Sequence, residues 1–435
     1  MKKDHALKIL MIGLTLGTAW AVRGHFGHEQ GAAWAGGISA LALIFVAGRR
    51  EWYGRVLPVA FAAAVGWGMT GMISYGLVVG YGMSNNFPNA LYGLGMLFVI
   101  GALFGLLGGG LTGLSLESSE NRRVDWGSLI AQMVAGGVVV YGLLVRQLEW
   151  FMTPPRSEAW AFCLGGVFAL LWYTARKGFS VTTRVALITG LGTGFGFALG
   201  NFLQIVGIVA EIPFNMWNVM EYSIGFFGGI ALAYSVFTSE WPGGGHRVGP
   251  WENRVSFVLL FLLIPFIVFQ QSLTFHLIVE RFTAAGEFER PELIGRISTM
   301  TALVILIVMA LLTGLRLRRA RNRFGASEVY FIFVAYLAAY ILMGYIIHGA
   351  IDGKSASHLH LCTVNLIVIL MLARMQGSPF STRPRVQVDS LKLCKVFVAL
   401  LLVVAVLSFV AVHLHDGLPG TQDRFTIHSC DFLNY

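Results

Sequence analysis

The chain has 435 residues, 56% of them hydrophobic and only 12% charged, with a mean hydropathy of +0.70; soluble domains carry about a quarter charged residues. This composition excludes a soluble globular protein and reads as an all-α, polytopic integral membrane protein. The net charge of +9 does not indicate nucleic-acid binding, because the basic residues are spread over many short loops and form no single patch, and the four cysteines have neither metal nor disulfide-framework spacing.

Apolar runs long enough to cross a bilayer recur from end to end. They predict about 13 transmembrane helices, at roughly 7–23, 31–48, 56–80, 90–116, 127–145, 157–175, 184–206, 217–237, 255–275, 297–315, 329–347, 359–373 and 396–414. Trp52, Trp126, Trp150, Trp217, Trp241 and Trp251 fall near the ends of these runs, as in an interfacial belt. Of the 31 Lys and Arg residues, 23 lie on the side that the N-terminus would share, which places the N-terminus in the cytoplasm and the C-terminus outside. The expected location is a bacterial inner membrane, crossed many times. The start, MKKDHALK followed by an apolar run and Ala19-Trp20-Ala21, has the parts of a cleavable signal. A retained first helix is the better reading, because that helix matches a later one.

The match is a repeat. Leu16-Gly17-Thr18 recurs as Leu191-Gly192-Thr193, and Glu29, Glu158 and Glu221 each stand seven residues before Gly36-Gly37, Gly165-Gly166 and Gly228-Gly229. The spacing gives a period of about 64 residues, with one degenerate unit near position 93. The expectation is four related Gly-rich helical hairpins of common orientation over 1–238, a cytoplasmic linker at 239–254, a five-helix transmembrane bundle over 255–415 and an extracytoplasmic tail at 416–435. The glycines suit close helix packing. Gly192-Thr193-Gly194-Phe195-Gly196 lacks the strand and acidic residue of a dinucleotide loop and reads as packing.

Polar residues gather at the outer ends. Nine of the eleven histidines lie there. The first hairpin tip holds Arg23, His25, His28 and Glu29: Arg23 could pair with Glu29 and hold an anion, and the imidazoles could move protons near neutral pH. His25, His28 and Glu29 would share one helix face, but HxxHE is not a zinc-protease motif and the glycines argue for a bent loop, so no metal is assigned. A structural Arg-Glu tie is the plain alternative. The fourth tip adds Asn201, Gln204, Asn215, Asn218 and Glu221; Glu221 lies deep enough to be a functional intramembrane carboxylate rather than a helix-start residue. A second outer cluster, His348, Asp352, Lys354, His358 and His360, reads either as a solvated loop or as a lid over the site.

Two functions follow. One is a transporter or facilitator for a small polar, possibly anionic, solute bound near the outer face, with Arg23 holding the solute and Glu29 or Glu221 carrying a coupling proton. The alternative is an integral-membrane enzyme, a transferase or hydrolase acting at the outer surface on lipid-linked or cell-envelope substrate, because the inner halves of the helices offer few polar groups. No Walker motif, kinase signature or nucleophile elbow is present. No cofactor is implied; the partners are membrane lipids and the substrate, and catalytic residues cannot be named.

Overall fold

Helix α1 (Lys3–Arg23) and helix α2 (His28–Ala47) are apolar along nearly their whole length and meet at a tight polar corner. The corner defines what we call the distal face; the proximal face is the opposite one, where α1 begins. The computed structural model describes residues 3–26, 28–243, 248–320, 324–354, 356–374 and 389–425. Gly27, His246, Arg247, Arg321, Arg323, Ser355, Arg383, Arg385, His428 and Cys430 lie outside the described residues.

After a short turn, α3 (Arg50–Tyr53), come α4 (Val56–Gly71), α5 (Gly76–Gly82), α6 (Phe87–Glu117), α7 (Trp126–Tyr141), α8 (Glu158–Lys177), α9 (Ser180–Val209) and α10 (Met216–Phe237). The rest is α11 (Pro250–Val258) and α12 (Ile264–Ser272), joined by one π-helical turn, then α13 (Phe275–Ala285), α14 (Pro291–Ala320), α15 (Ala326–Ile347), α16 (Ser357–Arg374) and α17 (Ser390–Val412). Among the described residues twelve helices are long and apolar enough to cross a membrane, or thirteen spans if a bent pair counts as one. The architecture is that of a multi-pass membrane protein. One expected span is not straight: 56–80 is broken into α4 and α5, bent by 68° at residues 72–75.

Side-chain caps mark several starts. Asn86, Asp125, Asn215 and Asp389 each accept from the backbone N–H three residues on, which satisfies a donor that the helix leaves open. At the proximal end Arg55 closes the other kind of terminus. Its guanidinium donates to the carbonyls of Leu116 at 3.2 Å, Ser118 at 2.8 Å and Ser115, the last turn of α6.

Six helices pack in a closed ring: α1 on α2, α2 on α4, α4 on α6, α6 on α9, α9 on α10 and α10 back on α1. Glycine permits the approach at each step. A Cβ at Gly71 would lie 2.6 Å from the His28 carbonyl oxygen, one at Gly66 2.5 Å from that of Leu107, and one at Gly196 2.6 Å from that of Ser223. Trp20 of α1 touches Trp67 of α4 at 5.2 Å and Phe104 of α6 at 5.4 Å between ring centroids, and Phe104 stacks on Phe197 of α9 at 6.1 Å. Trp20 meets side chains from helices that are not its neighbours in the ring, so this aromatic cluster closes the axis. All four side chains are fully buried.

The later helices brace this ring from outside. Trp34 of α2 stacks on Tyr336 and Tyr340 of α15, and the Tyr340 hydroxyl donates to the Gly31 carbonyl at 2.8 Å. Helix α16 lies on α1, and α17 crosses α6 and α9. Leu402 and Val406 of α17 are 64% and 61% exposed, which suits lipid and not water. Beyond α17 the chain folds back over the corner between α5 and α6. Ser84 donates to Asp423 at 2.7 Å, Gln422 N–H to the Gly80 carbonyl at 3.0 Å, and the Asn89 carboxamide oxygen accepts from Arg424 and Phe425 N–H at 2.8 Å.

Candidate functional site

Helix α1 ends in a turn, with His25 N–H bonded to the Val22 carbonyl and Phe26 N–H to that of Arg23. This carries Arg23 inward, where it has no exposed surface. Its Nη1 donates to Glu221 Oε2 at 2.8 Å and Oε1 at 3.1 Å, and to the Tyr75 hydroxyl at 2.7 Å; Tyr75 donates in turn to Glu221 Oε1. Tyr75 stands at the break between α4 and α5, and Glu221 is the sixth residue of α10. Three non-consecutive helices thus place a cation, a carboxylate and a phenol on the distal part of the ring axis. Among the described residues Arg23 Nε has no partner.

This differs from the expected pairing of Arg23 with Glu29. Glu29 is the second residue of α2; it faces Arg156 at 3.9 Å and is one-third exposed. A residue after His28 is turned about a quarter-turn around the helix, and only His28 looks back, its Nδ1 accepting from Arg23 Nη2 at 3.1 Å. Glu29 and Glu221 therefore meet different partners.

The remaining polar residues of the fourth tip are mostly ties. Asn215 caps α10; Asn218 donates to the Ala21 carbonyl at 2.9 Å, fastening α10 to α1. Asn201 donates to Gln204 at 3.3 Å, while its own oxygen is buried without a partner among the described residues and abuts Gly82 of α5. Nearer the proximal side Thr18, Thr189 and the indole N–H groups of Trp20 and Trp67 are also buried and unpartnered among the described residues. Neither of two cavities, of about 350 and 550 Å³, is lined by these groups.

The two clusters read separately in the sequence meet in space. His348 follows the last turn of α15 and His358 is in the first turn of α16, and the packing of α15 on α2 and α16 on α1 sets both against His25. His348 Nε2 is 3.1 Å from His25 Nδ1, and His358 Nε2 is 3.1 Å from His25 Nε2. The backbone reverses at Gly349, whose φ of +81° is the left-handed region that favours glycine. Burial and the neighbouring imidazoles, with Arg281 of α13 nearby, push His25 down to about 2 and His348 to about 4. Both stay neutral at physiological pH.

Other members of the second cluster do not join. His360 is helical and points elsewhere, its Nδ1 3.2 Å from the Tyr345 hydroxyl. Lys354 lies over the Phe288 ring at 5.7 Å, and Asp352 is exposed in a 3-10 turn. The sequence reading missed Tyr75. Its signal was Gly71-Met72-Ile73-Ser74-Tyr75-Gly76, where Ser74 and Tyr75 stand between glycines inside an apolar run. Comparison with protein-family models, with curated proteins and with solved structures finds no match for this chain.

Proposed function

We propose that the protein is a transporter or facilitator for a small anionic solute, set in a bacterial inner membrane with its N-terminus in the cytoplasm and its distal face outside. The observation that carries this is the Arg23–Glu221 pair, 0% and 1% exposed, at the break of α4 and α5. Buried ion pairs are costly to keep, and intramembrane ionisable groups beside broken helices mark substrate and ion paths. The Glu221 carboxylate is chemically what an anionic solute would offer. A proton on Glu221 releases Arg23, and a monoanion takes the carboxylate's place; one proton and one monoanion enter together, so the charge of the site is unchanged. Rotation at residues 72–75 would move Tyr75 with them, and Trp20, Trp67, Phe104 and Phe197 form the barrier to the proximal side. The hairpin repeat belongs to the same reading: Gly36 and Gly228, its matching glycines, both abut Trp67.

The test is a dye-loaded proteoliposome given an inward proton gradient and then, at an outer pH where the monoanion predominates, phosphate or succinate. Internal acidification that needs both the anion and the protein is expected, with at least about a tenfold loss in Tyr75→Phe, a change equal to about 1.4 kcal/mol. Acidification no different from empty liposomes for every anion would remove the reading. A second reading, an outer-surface transferase or hydrolase for lipid-linked or envelope substrate, is favoured by the three converging imidazoles; turnover of such a substrate by the same preparation would select it.

Orientation has its own check. In a chain freed of its four cysteines, Asn85→Cys at the distal face should react with an impermeant thiol reagent in intact cells. Asn121→Cys at the proximal face should react only after lysis. The reverse pattern would invert the topology.

A further inference from the structure

We propose that His25, His348 and His358 form a binding site for one divalent first-row transition-metal ion of the zinc class at the distal mouth. The three side chains come from three separate segments, the α1–α2 corner, the end of α15 and the start of α16, and each offers a ring nitrogen within 4.8 Å of the others. Ring centroids are 4.4, 4.9 and 5.3 Å apart. Zinc with Zn–N bonds of about 2.0–2.1 Å in a tetrahedron sets its ligand nitrogens about 3.3–3.4 Å apart. The 3.1 Å contacts use opposite nitrogens of His25, Nδ1 toward His348 and Nε2 toward His358; one ion takes one of these nitrogens, so a turn of the third ring closes the 4.8 Å set to the tetrahedral spacing. Chain crossings this distant in sequence do not bring three imidazoles together by local helix geometry; the packing of Tyr340 on Gly31 and Phe26 holds them.

The donor set names the ion. Three imidazoles and no carboxylate suit zinc, cobalt, nickel or copper, and do not suit magnesium or calcium, which take oxygen. Three protein ligands leave a fourth tetrahedral position for water or an anion. Arg281 acts electrostatically on both His25 and His348; its charge opposes a bare dication and favours an anionic fourth ligand. His28 is outside this group, its ring turned to Arg23. The bound ion would tie the first hairpin corner to the loop between α15 and α16. This inference rests on the histidine geometry and not on the transport reading.

The experiment uses the full chain in detergent, purified through a tag without histidines, stripped with EDTA and equilibrated with zinc or cobalt before gel filtration. About one ion per chain is expected, with the visible absorption of tetrahedral cobalt. His25→Ala and His348→Ala should each reduce the bound metal to near zero, whereas His360→Ala should retain it. Since an alanine variant can fail to fold, His25→Cys is added, which should keep the ion and add a thiolate-to-cobalt band. Monodisperse wild-type protein that carries no metal, or metal content unchanged in both alanine variants, overturns the proposal.

Discussion

Glu221→Gln is expected to unfold a large share of the protein and abolish its activity. The amide leaves the fully buried Arg23 without its counter-charge, and breaking a buried pair from one side costs roughly 3–5 kcal/mol. Arg23→Met should do the same from the other side. The triple change Arg23→Met, Tyr75→Phe and Glu221→Leu removes every charge and the linked hydroxyl together, so it should restore folded yield and thermal stability close to wild type while activity stays absent. Size-exclusion profiles and melting curves read the first effect, and proteoliposome flux the second. A triple variant that is folded and active would show that the pair is only a tie between α1 and α10. If instead the single variants fold and work normally, the site lies elsewhere on the distal face.

The second large effect concerns packing. Gly225 of α10 lies against the Leu16 carbonyl of α1, and its neighbour a turn on, Gly229, would put a Cβ 2.6 Å from the Ile12 carbonyl oxygen. A side chain at Gly225 meets backbone, which cannot rotate away. Overpacking costs about 1–3 kcal/mol where side chains can yield, so Gly225→Val should reach or exceed the upper end and separate the two helices that hold Arg23 and Glu221. Gly54→Val is the control: nothing lies within 4 Å of its Cβ position and its φ is −64°, so its melting temperature should not move. Equal stability of the two variants would show that the α1–α10 approach is looser than described.

The helices were legible because each is a run of apolar residues long enough to cross a bilayer, a property that every residue in the run shares. The break at 72–75 was not, because Gly66, Gly68 and Gly71 look like packing glycines found throughout the first half. The site was half legible. Arg23, His25, His28 and Glu221 stood out as polar groups in apolar surroundings, but their partners are set by packing between distant segments. Arg23 lies 198 residues from Glu221, and His25 lies 323 and 333 residues from His348 and His358. Glu29, six residues from Arg23, was the nearer carboxylate in sequence and faces Arg156 instead. Proximity along the chain misleads where a corner turns successive side chains to different neighbours.

The segment that returns over α5 bears on the order in which the protein is made. Helix α5 has seven residues, too few to cross a bilayer, and its corner with α6 is closed by residues 416–425 through Gly80, Ser84 and Asn89. Ser84 and Asp423 are 339 residues apart, so at about 5–20 residues per second the ribosome needs roughly 20–70 s to supply the second after the first. Through that interval the short helix beside Tyr75 and Asn201 waits without its cover. A nascent chain stopped before residue 416 would therefore have all its spanning helices and still lack a finished distal corner.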